Sequence, residues 1–409
     1  MLAPVFLGMV LAVAAPVPLS KDPTPAEDQA RAERLSAVIE KLRPLARPLG
    51  KPRPGDWLER FKEPGQTFKQ YLACDPTRPT GKRRVIYVQP LGEFTATQRR
   101  IVKLTADFLA VYFNVPVKVQ EDLPAKLVPE KARRKHPEWG MEQMLTTYIL
   151  EEVLKPRLPE DAAACICFTA TDLWPGEGWN FVFGQASLQE RVGVWSIHRF
   201  GDPDKSAADF RLALLRAMKL GSHETGHMFS LLHCTAYECN MCGCNHQEES
   251  DRRPLALCPE CLAKVCWATR ADPAVRYRQL AGFCKEQGLA PEKDAYWKLL
   301  AAIEEKPGIP EGERKWKQGQ VVEVTGKIYP SRADVKYFIE GDDGSDAHLK
   351  SEAISKLKVE TKVWVKGAVE YVRHEAPPDY DPKKYGVRLP LTFCYIQVTE
   401  FKVLDEPGQ

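Results

Sequence analysis

The chain carries almost no net charge, although it is rich in charged residues. Its 409 residues include 58 Lys and Arg against 55 Asp and Glu, which leaves a formal net charge of +3 at pH 7. A balance this close lacks the positive excess that favours binding to nucleic acids or to anionic membrane surfaces. No internal repeat is visible, and we expect no nucleic acid as a partner.

Long apolar runs are absent beyond the N-terminus. The run in MLAPVFLGMVLAVAAPVPLS is about 15 residues, shorter than the roughly 20 that a transmembrane helix needs. It fits the hydrophobic part of a secretory signal, and the small residues at 12–15 fit a cleavage site, although no Lys or Arg precedes the run. We predict export to the periplasm or the extracellular space, with an uncleaved anchor or a cytoplasmic location as alternatives.

The pattern of apolar residues predicts several distinct segments. Residues 24–43 have the periodicity of a charged helix, and a Pro-rich stretch follows that we expect to be extended and packed on the outside. From residue 84, strand and helix patterns alternate; Thr95 or Thr97 is a candidate N-cap, and 140–158 is predicted to be a helix.

The tail changes to period-two alternation. Five predicted strands, with a short helix at 352–357 between the third and the fourth, suggest a small closed barrel of OB type. Residues 318–409 contain 13 Lys and Arg against 15 Asp and Glu, which does not favour binding of single-stranded nucleic acid. The predicted organisation is a signal-like segment (1–20), an N-terminal helix with a Pro-rich extension (21–83), an α/β domain (84–306) and an OB-like barrel (318–405).

Histidine is scarce, yet three of the eight histidines fall in HETGHMFSLLHC at 223–234. His223 and His227 are four residues apart, so on a helix their side chains share one face and can reach one zinc ion. Glu224 points roughly 100° round the helix, beside the metal rather than onto it. There it could act as the general base that deprotonates a water attacking a peptide carbonyl.

His233 can join these two histidines only if the helix ends early. Continuing the helix from His227 would advance the chain about 9 Å and turn the side chain of His233 roughly 240° away. We therefore predict that the helix ends just after Met228 or Phe229. Ser230 then takes the left-handed backbone conformation, at a cost of roughly 1–2 kcal/mol.

This stretch resembles the metzincin metalloproteases, whose signature is HExxHxxGxxH, and most closely the archaemetzincin family. In that family a cysteine follows the third histidine, and a second cysteine, a C-x-M step and a CxxC come later. The matching residues here are His233-Cys234, Cys239-Asn240-Met241 and Cys258-Pro259-Glu260-Cys261. Ser230 departs from the glycine of the signature. The resemblance extends over roughly residues 45–300.

The resemblance implies an α/β metzincin-like catalytic domain, with a mixed sheet and an active-site helix, that acts on a peptide or protein substrate. It implies two zinc ions per chain. His223, His227 and His233 would hold the catalytic zinc, and Met241 would form the methionine turn beneath it. FVFGQA at 181–186 would correspond to the edge strand that receives the substrate.

Two sets of cysteines could hold the structural zinc. The family pattern points to Cys234, Cys239, Cys258 and Cys261. The bare spacing offers Cys242 in place of Cys234, because two CxxC pairs separated by fifteen residues are typical of a zinc ribbon.

The functional prediction is a zinc-dependent peptidase with Glu224 as its general base. The alternative is a zinc-stabilised binding protein whose HExxH site is slow or silent.

Overall fold

The structure is a computed structural model that describes residues 22–187, 190–304, 316–330, 335–342, 345–374 and 391–404. The chain forms two compact units, Met1–Ile303 and Glu304–Gln409. The signal-like segment predicted at 1–20 lies outside the described residues. Among the helices that are described, none combines the length and the apolar character needed to cross a bilayer.

The first unit combines helices and short strands. Its helices are α1 (Pro25–Leu42), α2 (Trp57–Arg60), α3 (Phe68–Ala73), α4 (Ala96–Phe113), α5 (Thr146–Tyr148), α6 (Ala207–Met228), α7 (Gln247–Arg252), α8 (Pro259–Thr269), α9 (Pro273–Glu286) and α10 (Ala290–Ile303). Its strands are β1 (Val85–Leu91), β2 (Val117–Val119), β3 (Arg133–Lys135), β4 (Glu142–Leu145), β5 (Ala162–Thr169), β6 (Asp172–Trp174), β7 (Gly184–Ser187) and β8 (Val192–Ser196).

A mixed five-stranded sheet forms the centre of this unit, in the order β2-β1-β5-β8-β7. All neighbours are parallel except β7, which runs antiparallel to β8 at the edge. Strands β1, β5 and β8 are buried along their whole length, as expected where helices cover both faces of a parallel sheet. Within the described residues, β7 is thus the outermost strand on the side of the sheet that contacts α6.

Helix α6 is defined by its sequence at both ends. Ser206 caps the N-terminus by accepting a hydrogen bond from the Asp209 amide, and the helix runs 22 residues to Met228. The helix packs against α4 and against strands β5, β7 and β8, so its last turns lie beside the sheet edge. Thr95 caps α4 in a capping box with Gln98, which settles the choice between Thr95 and Thr97.

The helix predicted at 140–158 is wrong in its first part. Residues Glu142–Leu145 form β4, which pairs with β3 and β6 in a second, three-stranded sheet. The reason is a buried polar contact: the Gln143 side chain donates to Asp172 at 2.7 Å and to the Asn180 carbonyl. Arg199 binds both oxygens of Asp172 at 2.8 Å. These partners are distant in sequence and outweigh local helix propensity.

The second unit is a closed five-stranded barrel in the order β10-β11-β13-β12-β9. Its strands are β9 (Val321–Pro330), β10 (Tyr337–Gly341), β11 (Asp346–Lys350), β12 (Lys362–His374) and β13 (Leu391–Val403). A 3-10 turn at Ile354–Lys356 lies between β11 and β12, where the sequence predicted a short helix. Every pairing is antiparallel except that of β11 with β13, which is parallel.

Candidate active site

The chain turns sharply where α6 ends, as the sequence predicted. Met228 is the last helical residue, and Ser230 takes φ 65°, in the left-handed region. The Ser230 amide donates to the His227 carbonyl at 2.8 Å, and the Leu231 amide donates to the Gly226 carbonyl at 3.1 Å. These two bonds satisfy the last carbonyls of the helix, as a C-terminal cap does.

The side chain of Ser230 makes a contact that glycine could not make. Its Oγ accepts a hydrogen bond from the Thr77 amide at 3.0 Å, and the Gln66 side chain donates to its carbonyl at 3.3 Å. A hydrogen bond of this kind contributes about 0.5–1.5 kcal/mol. It therefore offsets part of the strain at a position where the related signature has glycine.

The turn brings the three histidines together. The Nε2 atoms of His223 and His227 lie 3.0 Å apart, and the ring of His233 is centred 5.3 Å and 4.8 Å from their rings. Zinc bonds to imidazole nitrogen at about 2.0–2.1 Å, so tetrahedral ligands lie roughly 3.3 Å apart. The spacing of these nitrogens fits a zinc ion with only a small adjustment.

The rings of His223 and His227 are oriented by main-chain carbonyls. His223 Nδ1 lies 2.7 Å from the Asn240 oxygen, and His227 Nδ1 lies 2.6 Å from the Leu231 oxygen. A carbonyl accepts only, so each Nδ1 carries the proton and donates. This leaves the Nε2 lone pair of each ring free to bind a metal.

His233 is oriented by a carboxylate from the N-terminal extension. Its Nδ1 lies 2.8 Å and 3.0 Å from the two carboxylate oxygens of Glu63. The ring of Trp57 packs edge-on against the His233 ring, with centroids 5.3 Å apart. The third histidine therefore has the same arrangement as the first two, but a side chain supplies its acceptor.

All three histidines are neutral at pH 7. Burial lowers the pKa of His223 to about 3, of His227 to about 4 and of His233 to about 3. Neutral imidazole is the form that binds a metal, so these side chains release no proton on binding. Both the geometry and the protonation state fit zinc.

Glu224 lies where two cavities meet. Together with His227 and His233 it lines both a cavity of about 600 Å³ and one of about 360 Å³. Burial raises the pKa of the Glu224 carboxyl above its ordinary value, more than the nearby His227 lowers it. A carboxyl with a raised pKa is suited to take up and return a proton near neutral pH.

Met241 packs against α6 at Gly226, the residue before His227. A Cβ atom placed on Gly226 would lie 2.7 Å from the Met241 sulfur, so a larger residue there would displace the methionine side chain. The Met241 side chain is buried, and its carbonyl accepts the Cys234 amide at 2.7 Å. This last bond joins the segment that carries Met241 to the turn that carries His233.

Four buried cysteines form a second cluster. The sulfur atoms of Cys234 and Cys258 are 3.6 Å apart, and those of all four residues, with Cys239 and Cys261, lie within 4.8 Å of one another. Zinc bonds to sulfur at about 2.3 Å, which places tetrahedral sulfurs about 3.8 Å apart. The amides of Met241 and Cys258 donate to the Cys239 sulfur, at 3.4 Å and 3.2 Å.

This cluster also fits zinc electrostatically. Burial raises the pKa of the Cys239 thiol well above its usual value, so a thiolate there needs a cation to balance it. Cys242 is not in the set: its sulfur is not among the four that lie within 4.8 Å of one another, and the residue lines the larger cavity.

Residues 57–71 contribute to the site in a way that the sequence did not reveal. They supply Glu63 and Trp57 to His233, and Gln66 accepts the Leu232 amide at 3.2 Å. Tyr71 donates its hydroxyl to the Phe229 carbonyl at 2.8 Å. The signal in the sequence was that the family resemblance, over roughly residues 45–300, includes this segment.

Comparisons with known proteins identify the family of this chain. Residues 160–266 match the model of peptidase family M54. Archaemetzincin-2 of Homo sapiens and archaemetzincin-2 of Macaca fascicularis are each 34% identical over 276 residues, which cover 58% of this chain and 76% of the relative. The crystal structure of archaemetzincin from Methanopyrus kandleri is 27% identical and covers 47% of this chain and 99% of that chain, with a TM-score of 0.39. The chain is about one third identical to the archaemetzincin-2 proteins over about three quarters of their length. It therefore belongs to the archaemetzincin family of zinc metallopeptidases.

Proposed function

We propose that His223, His227 and His233 hold the catalytic zinc, and that Glu224 is the general base of peptide hydrolysis. The observation that carries the proposal is the convergence of the three rings, each with an acceptor at Nδ1, beside a carboxylate in a cleft. Zinc with three protein ligands retains a position for water and lowers the pKa of that water to about 7.

Glu224 performs the proton transfers. Its carboxylate accepts the proton released when water attacks the substrate carbonyl, and it then donates this proton to the leaving amine. Desolvation raises the pKa of this carboxyl, so that it holds the proton between the two transfers. The substrate would extend along the free edge of β7, whose main-chain groups can pair with a peptide.

A second zinc has a structural role in this proposal. The sulfurs of Cys234, Cys239, Cys258 and Cys261 would hold it, with no position left for water. Because Cys234 directly follows His233, this zinc would also anchor the turn that completes the catalytic ligand set. Two zinc ions per chain are therefore expected.

The zinc content of four proteins tests both proposed zinc sites and the choice of Cys234 over Cys242. We expect two zinc ions per chain in the wild type and in Cys242→Ala, and one in His233→Ala and in Cys234→Ala, by elemental analysis after dialysis. A loss of zinc in Cys242→Ala but not in Cys234→Ala would transfer the fourth ligand role to Cys242.

Peptide cleavage tests the enzymatic role. A diverse peptide library is incubated with zinc-loaded wild type and with zinc-loaded Glu224→Ala, and products are identified by mass spectrometry. We expect cleavage by the wild type alone. A wild type that holds two zinc ions yet cleaves nothing above the variant would support the alternative, a zinc-stabilised binding protein with a silent site.

The C-terminal unit fits the OB type. Its barrel order and the single parallel pairing of the third strand with the fifth are those of an OB fold, as is the position of the 3-10 turn between the third and fourth strands. We assign it as an appended module of the peptidase chain. Export of the protein remains a proposal based on the N-terminal sequence.

A further inference from the structure

Lys219 is a buried cation beside the catalytic histidines. It lies one turn before His223 on α6, about 6 Å along the helix axis. Only 5% of the residue is exposed, yet it lines the cavity of about 600 Å³ that also holds Glu224. Its Nζ donates to the carbonyls of Ser250 and Asp251, at 3.2 Å and 3.4 Å.

Lys219 has no carboxylate partner. Among the residues that the structure describes, no carboxylate oxygen lies within 4.0 Å of its Nζ. The carboxylates that act on Lys219 electrostatically are those of Asp251 and Glu292, and Asp251 is already bound by Arg216 at 2.5 Å. In the part of the chain that the structure describes, the hydrogen bonds of the Lys219 ammonium therefore go to two main-chain carbonyls and to no carboxylate.

The remaining charges of the cavity do not supply a counter-ion. Arg60, Arg216 and Arg253 also line it, and Glu224 is its single lining carboxylate, at the metal site. Among the charged residues that line this cavity, cations therefore outnumber carboxylates.

A buried ammonium without a counter-ion is energetically unfavourable. Desolvation accordingly lowers the pKa of Lys219, although Asp251 and Glu292 act in the opposite direction. A carboxylate that entered the cavity would supply the missing charge and accept the third N–H of the ammonium. Because only 5% of Lys219 is exposed, solvent would screen such a pair less than it screens a surface pair.

We propose that Lys219 is a specificity-determining residue that selects substrates with a carboxylate beside the scissile bond. The inference rests on the proposed peptidase function and names the substrate class of that site. The carboxylate is either the side chain of Asp or Glu or the terminal carboxylate of the peptide. Both present the same chemistry to the ammonium, and separate peptides distinguish them.

The test measures binding apart from cleavage. Zinc-loaded Glu224→Ala is titrated with fluorescent peptides that differ in one group: Glu against Gln at each of the two positions on either side of the scissile bond, and a free C-terminus against its amide. We expect one carboxylate position to bind about ten- to a hundredfold more tightly than its amide. The same preference should appear in kcat/KM of the wild type.

Substitution of the lysine then identifies the cause. Lys219→Met retains the apolar stem and should reduce the carboxylate preference to less than about threefold, whereas Lys219→Glu should reverse it in favour of Lys or Arg. Arg60→Met removes an exposed cation from the same cavity and should leave the preference unchanged. Two bound zinc ions in each variant show that the fold is intact.

The outcomes separate this inference from the proposed function. Equal affinity for carboxylate and amide peptides, or no binding of either, would overturn the role of Lys219, even if the wild type cleaves them. A preference that survives in Lys219→Met would overturn it too. If the protein binds carboxylate peptides selectively but the wild type cleaves none of them, the result would support the role of Lys219 and count against the peptidase activity.

Discussion

Removal of the Glu63 carboxylate should weaken zinc binding at the histidine site without unfolding the protein. Glu63 contacts His233 Nδ1 through both oxygens, at 2.8 Å and 3.0 Å, and 28% of its side chain is exposed. The corresponding acceptors of His223 and His227 are main-chain carbonyls, which no substitution removes. Glu63 is thus the one orienting group of the triplet that mutagenesis can delete.

The size of the effect follows from this geometry. Loss of the partner of a ligating histidine typically costs 10–100-fold in metal affinity, or about 1.4–2.7 kcal/mol. Glu63→Gln keeps one acceptor oxygen but loses the charge, so we expect about tenfold. Glu63→Ala leaves Nδ1 to water, so we expect about a hundredfold.

Competition with a chromophoric chelator measures these affinities, and zinc held by the four cysteines serves as an internal reference. Glu59→Gln is the matched control, because Glu59 is a carboxylate of the same segment whose contact is the Gly55 amide. Wild-type affinity in Glu63→Ala would refute the reasoning and mean that packing alone orients His233.

Three further substitutions test the packing around the site by chemical denaturation of the zinc-loaded protein. Gly226→Ala should lower the free energy of unfolding by about 1–3 kcal/mol, because the added Cβ would lie 2.7 Å from the Met241 sulfur. Unchanged stability would mean that the Met241 side chain moves aside freely. Ser230→Gly should change the free energy of unfolding by less than about 1 kcal/mol, since relief of strain and loss of one hydrogen bond nearly cancel; a large loss would show that the hydroxyl is essential. Arg199→Leu should lower the free energy of unfolding by about 3–5 kcal/mol, because it leaves the fully buried carboxylate of Asp172 without its cation. A decrease below about 1 kcal/mol would mean that Asp172 carries no charge in the folded protein.

The spacing of apolar residues and the residues at helix ends predicted much of the fold. Periodicity placed α1 and α4, with Thr95 as one of two candidate N-caps, and the spacing of the histidines placed the end of α6. The barrel followed from period-two alternation, because strands such as β10 and β11 bury every second side chain. The helix predicted at 140–158 was wrong in its first part for the opposite reason. Strand β4 forms because it pairs with residues 172–174, which lie too far along the chain to influence a prediction from neighbouring residues.

The sequence by itself determined the chemistry of the centre. The four-residue spacing of His223 and His227 places both side chains on one face of a helix. A helix that continued past Met228 would point His233 away from them, so the chain has to turn near Ser230 for His233 to join them. These conclusions involve residues within about one or two helical turns of each other, where the backbone alone limits what can meet.

Only the tertiary structure decided what surrounds those ligands. Glu63 meets His233 across 170 positions. The sulfur of Cys234, rather than that of Cys242, lies within 4.8 Å of the other three cysteine sulfurs. Lys219 looks like any helical lysine until the chain beyond the methionine turn folds over it. Contacts of this kind depend on how separate segments pack, and a single sequence contains no signal for such packing at a distance.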